Sequence, residues 1–262
     1  MARPSDPDVP GIDTATASPA RMYDYYLGGK DNFPADRAAA EAVIADHPQQ
    51  RALARNNRAF LRRAVAHLAE AGIDQYVDIG TGIPTSPNVH EVARAAHPAA
   101  RVAYVDDDPV VLSHARALLS TDELVAVVDA DMHDPGLSHH PGIEALVDFD
   151  RPVGVLFVAV LHFSPGDEPA RIVRAFRERM APGSYLVLST GSTEGLSDAD
   201  VAAVREAYST TPRGVFLRPR AEIEALFDGT ELIDPGLTDV SGWRADEPPT
   251  PIKILAGVGR TS

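Results

Sequence analysis

The sequence predicts an α/β protein: an N-terminal helical part followed by a mostly parallel sheet with helices between its strands. Three observations carry this. Residues 18–72 show helix starts, apolar stripes and helix stops, but no strand pattern. From residue 75 short apolar runs alternate with helical segments, the pattern of parallel strands joined by right-handed crossovers. The first four runs each end in residues able to bind a ligand, at the strand ends where open α/β sheets hold one.

In chain order, residues 1–17 are rich in Pro, Asp, Ala and Thr without periodicity and read as a flexible tail. Ser18-Pro19 has the form of a helix start, with a hydroxyl N-cap before proline at the first helical position. That helix passes through Leu27 and stops at Gly28-Gly29, where glycine accepts the left-handed turn. Lys30-Asp31-Asn32-Phe33 is a loop. Pro34 opens an alanine-rich helix to about Asp46, and His47-Pro48 breaks it. A third helix covers 49–71, with Leu53, Phe60, Leu61, Val65 and Leu68 on one face, and Gly72 ends it. Residues 18–72 thus read as a helical cap and 73–262 as the ligand-binding unit. Seven strands are expected, at 76–79, 101–105, 124–128, 153–158, 184–189, 230–233 and 252–258. Helices fall at 87–96, 109–119, shortly before Phe149, and at 168–180, 198–208 and 220–227. A long polar loop through Trp243 joins the last two strands.

Composition narrows the function. The chain of 262 residues has no cysteine, which excludes disulfides, thiolate metal sites and cysteine nucleophiles. Lys and Arg number 24 against 38 Asp and Glu, a formal charge of −14. Such a surface repels phosphate backbones, so no nucleic-acid partner is expected. The arginines at 51, 55, 58, 62 and 63 read as one face of a helix. No apolar run approaches the roughly 18 residues of a membrane span, and the start lacks an apolar signal region. A cytoplasmic protein without a membrane partner is expected. The nine histidines show no metal-ligand spacing, so no metal site is expected.

The first strand runs into Asp78-Ile79-Gly80-Thr81-Gly82-Ile83-Pro84. Glycines there let the backbone approach a ligand closely. A dinucleotide loop would place a third glycine at position 85, where Thr85 stands. The second strand ends in Asp106-Asp107-Asp108-Pro109. A carboxylate there accepts from ribose hydroxyls. Asp106 is the ribose candidate, with Asp107 beside it, and Asp108 caps the helix that Pro109 begins. The third strand ends in Asp129-Ala130-Asp131-Met132. Asp131 suits an adenine amino group and Met132 the ring face; the alternative for Asp131 is a turn cap. The fourth ends near His162, the histidine best placed for proton transfer, with a structural hydrogen-bonded histidine as the competing reading.

These stretches resemble, in order, the successive motifs of class I S-adenosylmethionine (SAM) dependent methyltransferases, with Ala181-Pro182-Gly183-Ser184-Tyr185 as a further one. The N-terminal Ala20-Arg21-Met22-Tyr23-Asp24-Tyr25-Tyr26-Leu27-Gly28-Gly29-Lys30-Asp31-Asn32-Phe33 and the later Pro84-Thr85-Ser86-Pro87-Asn88-Val89-His90 resemble a narrower group, the actinobacterial S-adenosyl methyltransferase family. The resemblance spans residues 18–258. It implies a Rossmann-like, seven-stranded, mostly parallel sheet with an antiparallel last strand, plus the N-terminal helical cap. It implies SAM as cofactor, held by Asp78, Gly80, Thr81, Gly82, Asp106, Asp107, Asp131 and Met132, with Tyr23, Gly29 and Asn32 contributed by the N-terminal segment. The segment with Tyr23, Gly28, Gly29, Lys30, Asp31 and Asn32 is expected to fold over the cofactor as a lid, with a packed helical cap as the alternative.

The reaction then expected is methyl transfer to a small-molecule acceptor, with His162 or Asp31 as candidate general base. Two other readings stand beside it: a SAM-binding sensor or interaction protein without turnover, and a nicotinamide-dependent oxidoreductase, against which Thr85 argues. Sequence alone names neither acceptor nor oligomeric state.

Overall fold

The computed structural model describes residues 12–119, 122–209, 211–245 and 247–262. Of the expected tail, residues 1–11 lie outside this set. Residues 12–17 pack on the molecule: the buried Arg21 donates to the carbonyls of Asp13 at 2.8 Å and Thr16 at 2.7 Å.

Three helices come first, α1 (Pro19–Leu27), α2 (Pro34–Asp46) and α3 (Gln50–Glu70). Gly28, at φ 85°, ends α1 and donates to the Asp24 and Tyr25 carbonyls, the left-handed stop that glycine adopts without strain. Asp36 anchors the start of α2 by accepting from the Phe33 amide at 2.7 Å. The sheet and its crossovers follow as β1 (Gln75–Ile79), α4 (Val89–Arg94), β2 (Arg101–Asp106), α5 (Pro109–Leu119), β3 (Val125–Asp129), α6 (Pro141–Glu144), β4 (Gly154–Val158), α7 (Glu168–Arg177) and β5 (Tyr185–Ser192). The chain continues through α8 (Asp198–Ala207), α9 (Arg220–Ala225), β6 (Glu231–Leu232), β7 (Thr238–Asp239) and β8 (Lys253–Arg260).

The sheet order is β3-β2-β1-β4-β5-β8-β6, with β7 also paired to β8. The first five strands are parallel, and β8 runs antiparallel to β5 from Tyr185↔Arg260 to Ser192↔Lys253. Among the described residues the seven expected strands become eight, because a short strand, β7, forms within the stretch expected as a loop after the sixth. β6 and β7 lie along the same edge of β8, opposite Gly259–Arg260 and Leu255–Ala256. Between them Pro235 has no amide hydrogen to give the ladder, and Gly236 turns at φ 80°. Thr238-Asp239 is too short to show an alternation that would have announced it.

Helices cover both faces of the sheet, so neighbouring residues of one strand enter different cores. Tyr76, Val102 and Tyr104 join Phe60, Leu61 and Leu68 of α3. Val77, Ala103 and Val105 join Ile172, Val173 and Phe176 of α7. Two buried faces explain why these strands read as unbroken apolar runs. Trp243, expected in a polar loop, is fully buried against Phe60, edge to face at 5.3 Å.

The expected cap divides. α3 belongs to the sheet's own core, whereas Met22 and Tyr26 of α1 and Ala40 and Val43 of α2 pack with Val204 and Tyr208 in or just after α8. The arginines of α3 tie these layers together. Arg51 reaches the Tyr25 carbonyl at 3.0 Å, Arg58 the carbonyls of Thr85 and Pro87, and Arg63 those of Trp243 and Val240, both at 2.8 Å. Among the described residues no helix is long and apolar enough to cross a membrane.

Candidate functional site

A cavity of about 500 Å³ opens at the carboxyl ends of β1 to β4. The order β3-β2-β1-β4 sets out its two ends, one above β1, β2 and β3, the other at β4 and the turn that follows it.

At the first end the loop after β1 folds back on the end of β2. The amides of Gly80 and Thr81 donate to the Val105 carbonyl at 2.8 and 3.2 Å. Gly80 lies at φ 68°, and a Cβ there would stand 2.2 Å from Val160 Cγ2. Only glycine fits such a position. Gly82, at φ 66°, donates its amide to Asp106 Oδ2 at 2.9 Å, and a Cβ there would meet only open space. Asp78 is buried and accepts from Thr81 Oγ1 at 2.9 Å. Burial pushes its pKa up to about 6, against the pull of Thr81 and Arg58.

The three adjacent aspartates take three tasks. Asp106 is buried, and its oxygens accept from the amides of Gly82 and of Asp108, the latter at 3.0 Å. Burial pushes it up to about 6, and the charges of Asp107 and Asp108 add to the rise. Asp107 pairs with Arg213. Asp108 caps α5, accepting from the Val110 amide at 2.8 Å, and takes the Ser18 hydroxyl as well.

Asp131 is gripped from two sides. It accepts from the amide and Nδ1 of His133 at 2.9 and 2.7 Å and from both terminal nitrogens of Arg213 at 3.1 and 3.0 Å. Burial raises its pKa, but the bonds from Arg213 and His133 outweigh that and hold it well below the usual carboxylate range. His133 is braced in turn by Ser164 Oγ at 2.9 Å. Ser164 is fully buried, so this Ser–His–Asp line orients a carboxylate and presents no nucleophile. Met132 lines the cavity beside it.

The second end is built differently. Ala159 after β4 has φ 57°, an unfavourable value for a residue with a Cβ. Its amide is held by the carbonyl and hydroxyl of Ser189 on β5, each at 3.0 Å. Ser189 Oγ donates to Asn57 Oδ1 at 2.7 Å, and Asn57 Nδ2 donates to the Tyr23 hydroxyl at 3.0 Å. The Tyr23 hydroxyl donates to the Ala54 carbonyl, also at 3.0 Å. This chain fixes Tyr23 and Asn57 on the cavity wall.

His162 sits in a single 3-10 turn, Leu161–Phe163, and lines the same wall. Its Nδ1 accepts from the Gly191 amide at 3.3 Å. Burial, with Arg218 nearby, pushes its pKa down to about 4. At neutral pH the ring is therefore uncharged. Because Nδ1 is the acceptor, the hydrogen-bond network assigns the proton to Nε2.

Of the residues singled out from sequence, Asp78, Gly80, Thr81, Gly82, Asp106, Asp107, Asp131, Met132, Tyr23 and His162 all line one cavity. Gly29, Asp31 and Asn32 do not line it. They wrap around Asp24, whose Oδ2 accepts from the Asp31 amide at 3.0 Å and from Asn32 Nδ2 at 2.7 Å. A Cβ on Gly29 would stand 1.9 Å from Asp24 Oδ1. The Asp31 carboxylate is half-exposed, 3.8 Å from His114. The part of the N-terminus that does line the cavity includes Ile12, Asp13, Ser18, Arg21, Tyr23 and Tyr26.

Asn57, Arg58, Tyr208 and Arg213 also line the cavity, and sequence reasoning passed them by. Asn57 left a trace, as a polar residue on the apolar stripe of α3 four residues after Leu53. Arg213 left none, since its partners Asp107 and Asp131 lie 106 and 82 residues away.

The donor set fits a nucleoside cofactor with an amino-acid tail. Asp106 offers two buried carboxylate oxygens, Asp131 another carboxylate, and Asp78 a buried carboxylate for an ammonium group. The model of the S-adenosyl methyltransferase family matches residues 5–262. A candidate methyltransferase from Thermobifida fusca YX is 42% identical, with a TM-score of 0.90 over 97% of this chain and 98% of its own. A DUF574-family protein from Streptomyces avermitilis MA-4680 is 40% identical, with a TM-score of 0.90 over 96% of this chain and all of its own. An O-methyltransferase family protein from Burkholderia thailandensis shares the fold at 16% identity, with a TM-score of 0.53 over 85% of this chain and 62% of its own. No functionally curated protein matches. The strand order, the carboxylates at three consecutive strand ends and the match along nearly the whole chain lead to one assignment: this protein belongs to the S-adenosyl methyltransferase family, SAM-dependent enzymes of the class I methyltransferase fold.

Proposed function

We propose that the protein transfers the methyl group of SAM to a small molecule seated at the end of β4 and the turn that follows it. The observation that carries this is the two-ended cavity, with the carboxylates at the ends of β1, β2 and β3 and an uncharged, aromatic wall beyond them. Bound SAM supplies an electrophilic methyl on a sulfonium that leaves as a neutral thioether. Asp106 accepts from the ribose hydroxyls, Asp131 from the adenine amino group with Met132 on the ring face, and Asp78 from the ammonium of the methionyl tail. Gly80 and Gly82 keep side chains out of the way.

The residues from 12 to 26 and the start of α3 cover the cavity and exclude water. Alignment of two reactants in such a space accounts for most of the rate of a simple displacement. Of residues 18–72, α1 and the start of α3 act here as the cover over the SAM-binding part, 73–262, while the rest of α3 belongs to the sheet's core. A nucleic-acid substrate is disfavoured by the charge of −14. A chain without cysteine fits a reducing compartment, and the enzyme is read as working in the cytoplasm.

The test is calorimetric titration with SAM, S-adenosylhomocysteine (SAH) and NAD, followed by isotopically labelled SAM with candidate acceptors. SAM and SAH are expected to bind at one site and NAD not at all. NAD binding without SAH binding would overturn the reading.

A further inference from the structure

Among the described residues, no carboxylate is placed at the acceptor end of the cavity to take a proton. The carboxylates lining the cavity are Asp13, Asp78, Asp106, Asp107, Asp108 and Asp131. Five belong to the ends of β1, β2 and β3. The sixth, Asp13, accepts from the amides of Ala15 and Thr16 in the N-terminal segment. His162 is the imidazole at the other end, and its basic nitrogen Nδ1 is already taken by Gly191. What it offers is Nε2–H, which has no partner among the described residues.

Behind it lies Arg218, buried and bound by the carbonyls of Leu161, Ser164, Gly166 and Phe216. Glu222 is the acid that acts on it. The positive field of Arg218 disfavours a second positive charge on the imidazole. The same field favours a negative charge placed against Nε2–H.

The walls are flat and aromatic. Phe163 lies 4.4 Å from the His162 ring and 6.2 Å from that of Tyr208, and the Tyr208 hydroxyl stands 3.3 Å from that of Tyr26. All four line the cavity. Their faces suit a planar conjugated ring.

We infer, resting on the methyl-transfer reading above, that the acceptor is an acidic phenol or enol bound as its oxyanion, with His162 donating Nε2–H to the nucleophilic oxygen. The acceptor loses its proton to solvent before the methyl moves. An oxygen lone pair then forms the O–C bond as the C–S bond breaks. Sulfur keeps that electron pair, and the anion and the sulfonium cancel to give a neutral methyl ether and SAH. His162 keeps its proton throughout. It is a positioning and charge-stabilising donor, not a base.

The probe is 4-nitrophenol, whose ionised form has its own visible absorption band. It is titrated into the SAH-bound protein at a series of pH values. The bound probe is expected to ionise about one pH unit lower than in buffer, a tenfold change for one hydrogen bond to a charged oxygen. In His162→Leu that shift is expected to vanish while SAH affinity stays within about threefold, which shows the variant is folded. His162→Gln, with an amide N–H to donate, is expected to restore part of it. Probe bound in the protonated form, an ionisation equal in wild type and His162→Leu, or no saturable binding to the SAH complex would each overturn the inference alone. Failure to bind SAH at all would overturn the cofactor reading, and this inference with it.

Discussion

The two ends of one cavity are built by different means. At the cofactor end, Asp78, Asp106 and Asp131 lie at or within two residues of the ends of β1, β2 and β3. The loops between strand end and helix supply the local contacts, as when Asp106 accepts from Gly82 and Asp108. At the acceptor end, α1, α3, β5 and the turn after β4 each contribute one member of a chain of side chains from Tyr23 through Asn57 and Ser189 to Ala159. The first end is charged and the second uncharged and aromatic. A strand end in a parallel sheet is placed by backbone pairing and can carry a conserved ligand chemistry. A surface shared by several packed elements can change its shape with any of them, which suits a variable acceptor.

Substitutions should separate the two ends. The largest effect is expected for Asp106→Ala, which removes the carboxylate proposed to accept the ribose hydroxyls. Calorimetry should show SAH binding about a hundredfold weaker, the equivalent of ~3 kcal/mol. Affinity within a few-fold of wild type would move the ribose elsewhere and dissolve the contrast.

Next comes pH. Asp78 and Asp106 are both pushed up to about 6 by burial, and the contacts proposed for them need their carboxylate forms. SAH affinity should be flat well above pH 6 and fall below it, about tenfold per unit for one proton and more steeply for two. Stability moves the other way. A carboxyl whose folded pKa lies above its unfolded one binds more protons when folded, so its contribution rises as pH falls from about 6 toward about 4. Asp106→Asn should flatten both dependences, and an unchanged slope for SAH would exclude Asp106 from the binding step.

Asn57→Ala should act on the fold and the acceptor end. It leaves Ser189 Oγ and the Tyr23 hydroxyl each short of a partner in a buried place, and denaturant unfolding should show a loss of about 2 kcal/mol. SAH affinity should change by less than about threefold. A loss as large as that of Asp106→Ala would mean that the two ends are one.

The smallest effect belongs to Asp31→Ala. Its carboxylate is half-exposed and outside the cavity, so SAH affinity and stability should stay within about 0.5 kcal/mol of wild type. A collapse of methyl transfer in this variant would show that the turn of residues 28–32 reaches the acceptor during the reaction.

The α/β class, five parallel strands within two or three residues of their observed bounds, the first three helices and the carboxylates at three strand ends were all legible in the sequence. Each depends on short-range causes: strand periodicity and length, proline and glycine as stops, and the rule that ligands sit where strands end. Tertiary structure decided the rest. It chose which of three adjacent aspartates faces inward, giving Asp107 to Arg213 and Asp108 to α5. It turned Gly29, Asp31 and Asn32 around Asp24 and away from the cavity. It set the proton of His162 through Gly191, and it joined Ser189 to Asn57 across 132 residues. A side chain's partner at such separations is settled by how packed layers meet, which no local pattern encodes. The fold and cofactor end are therefore written along the chain, and the acceptor end appears only once the layers close on one another.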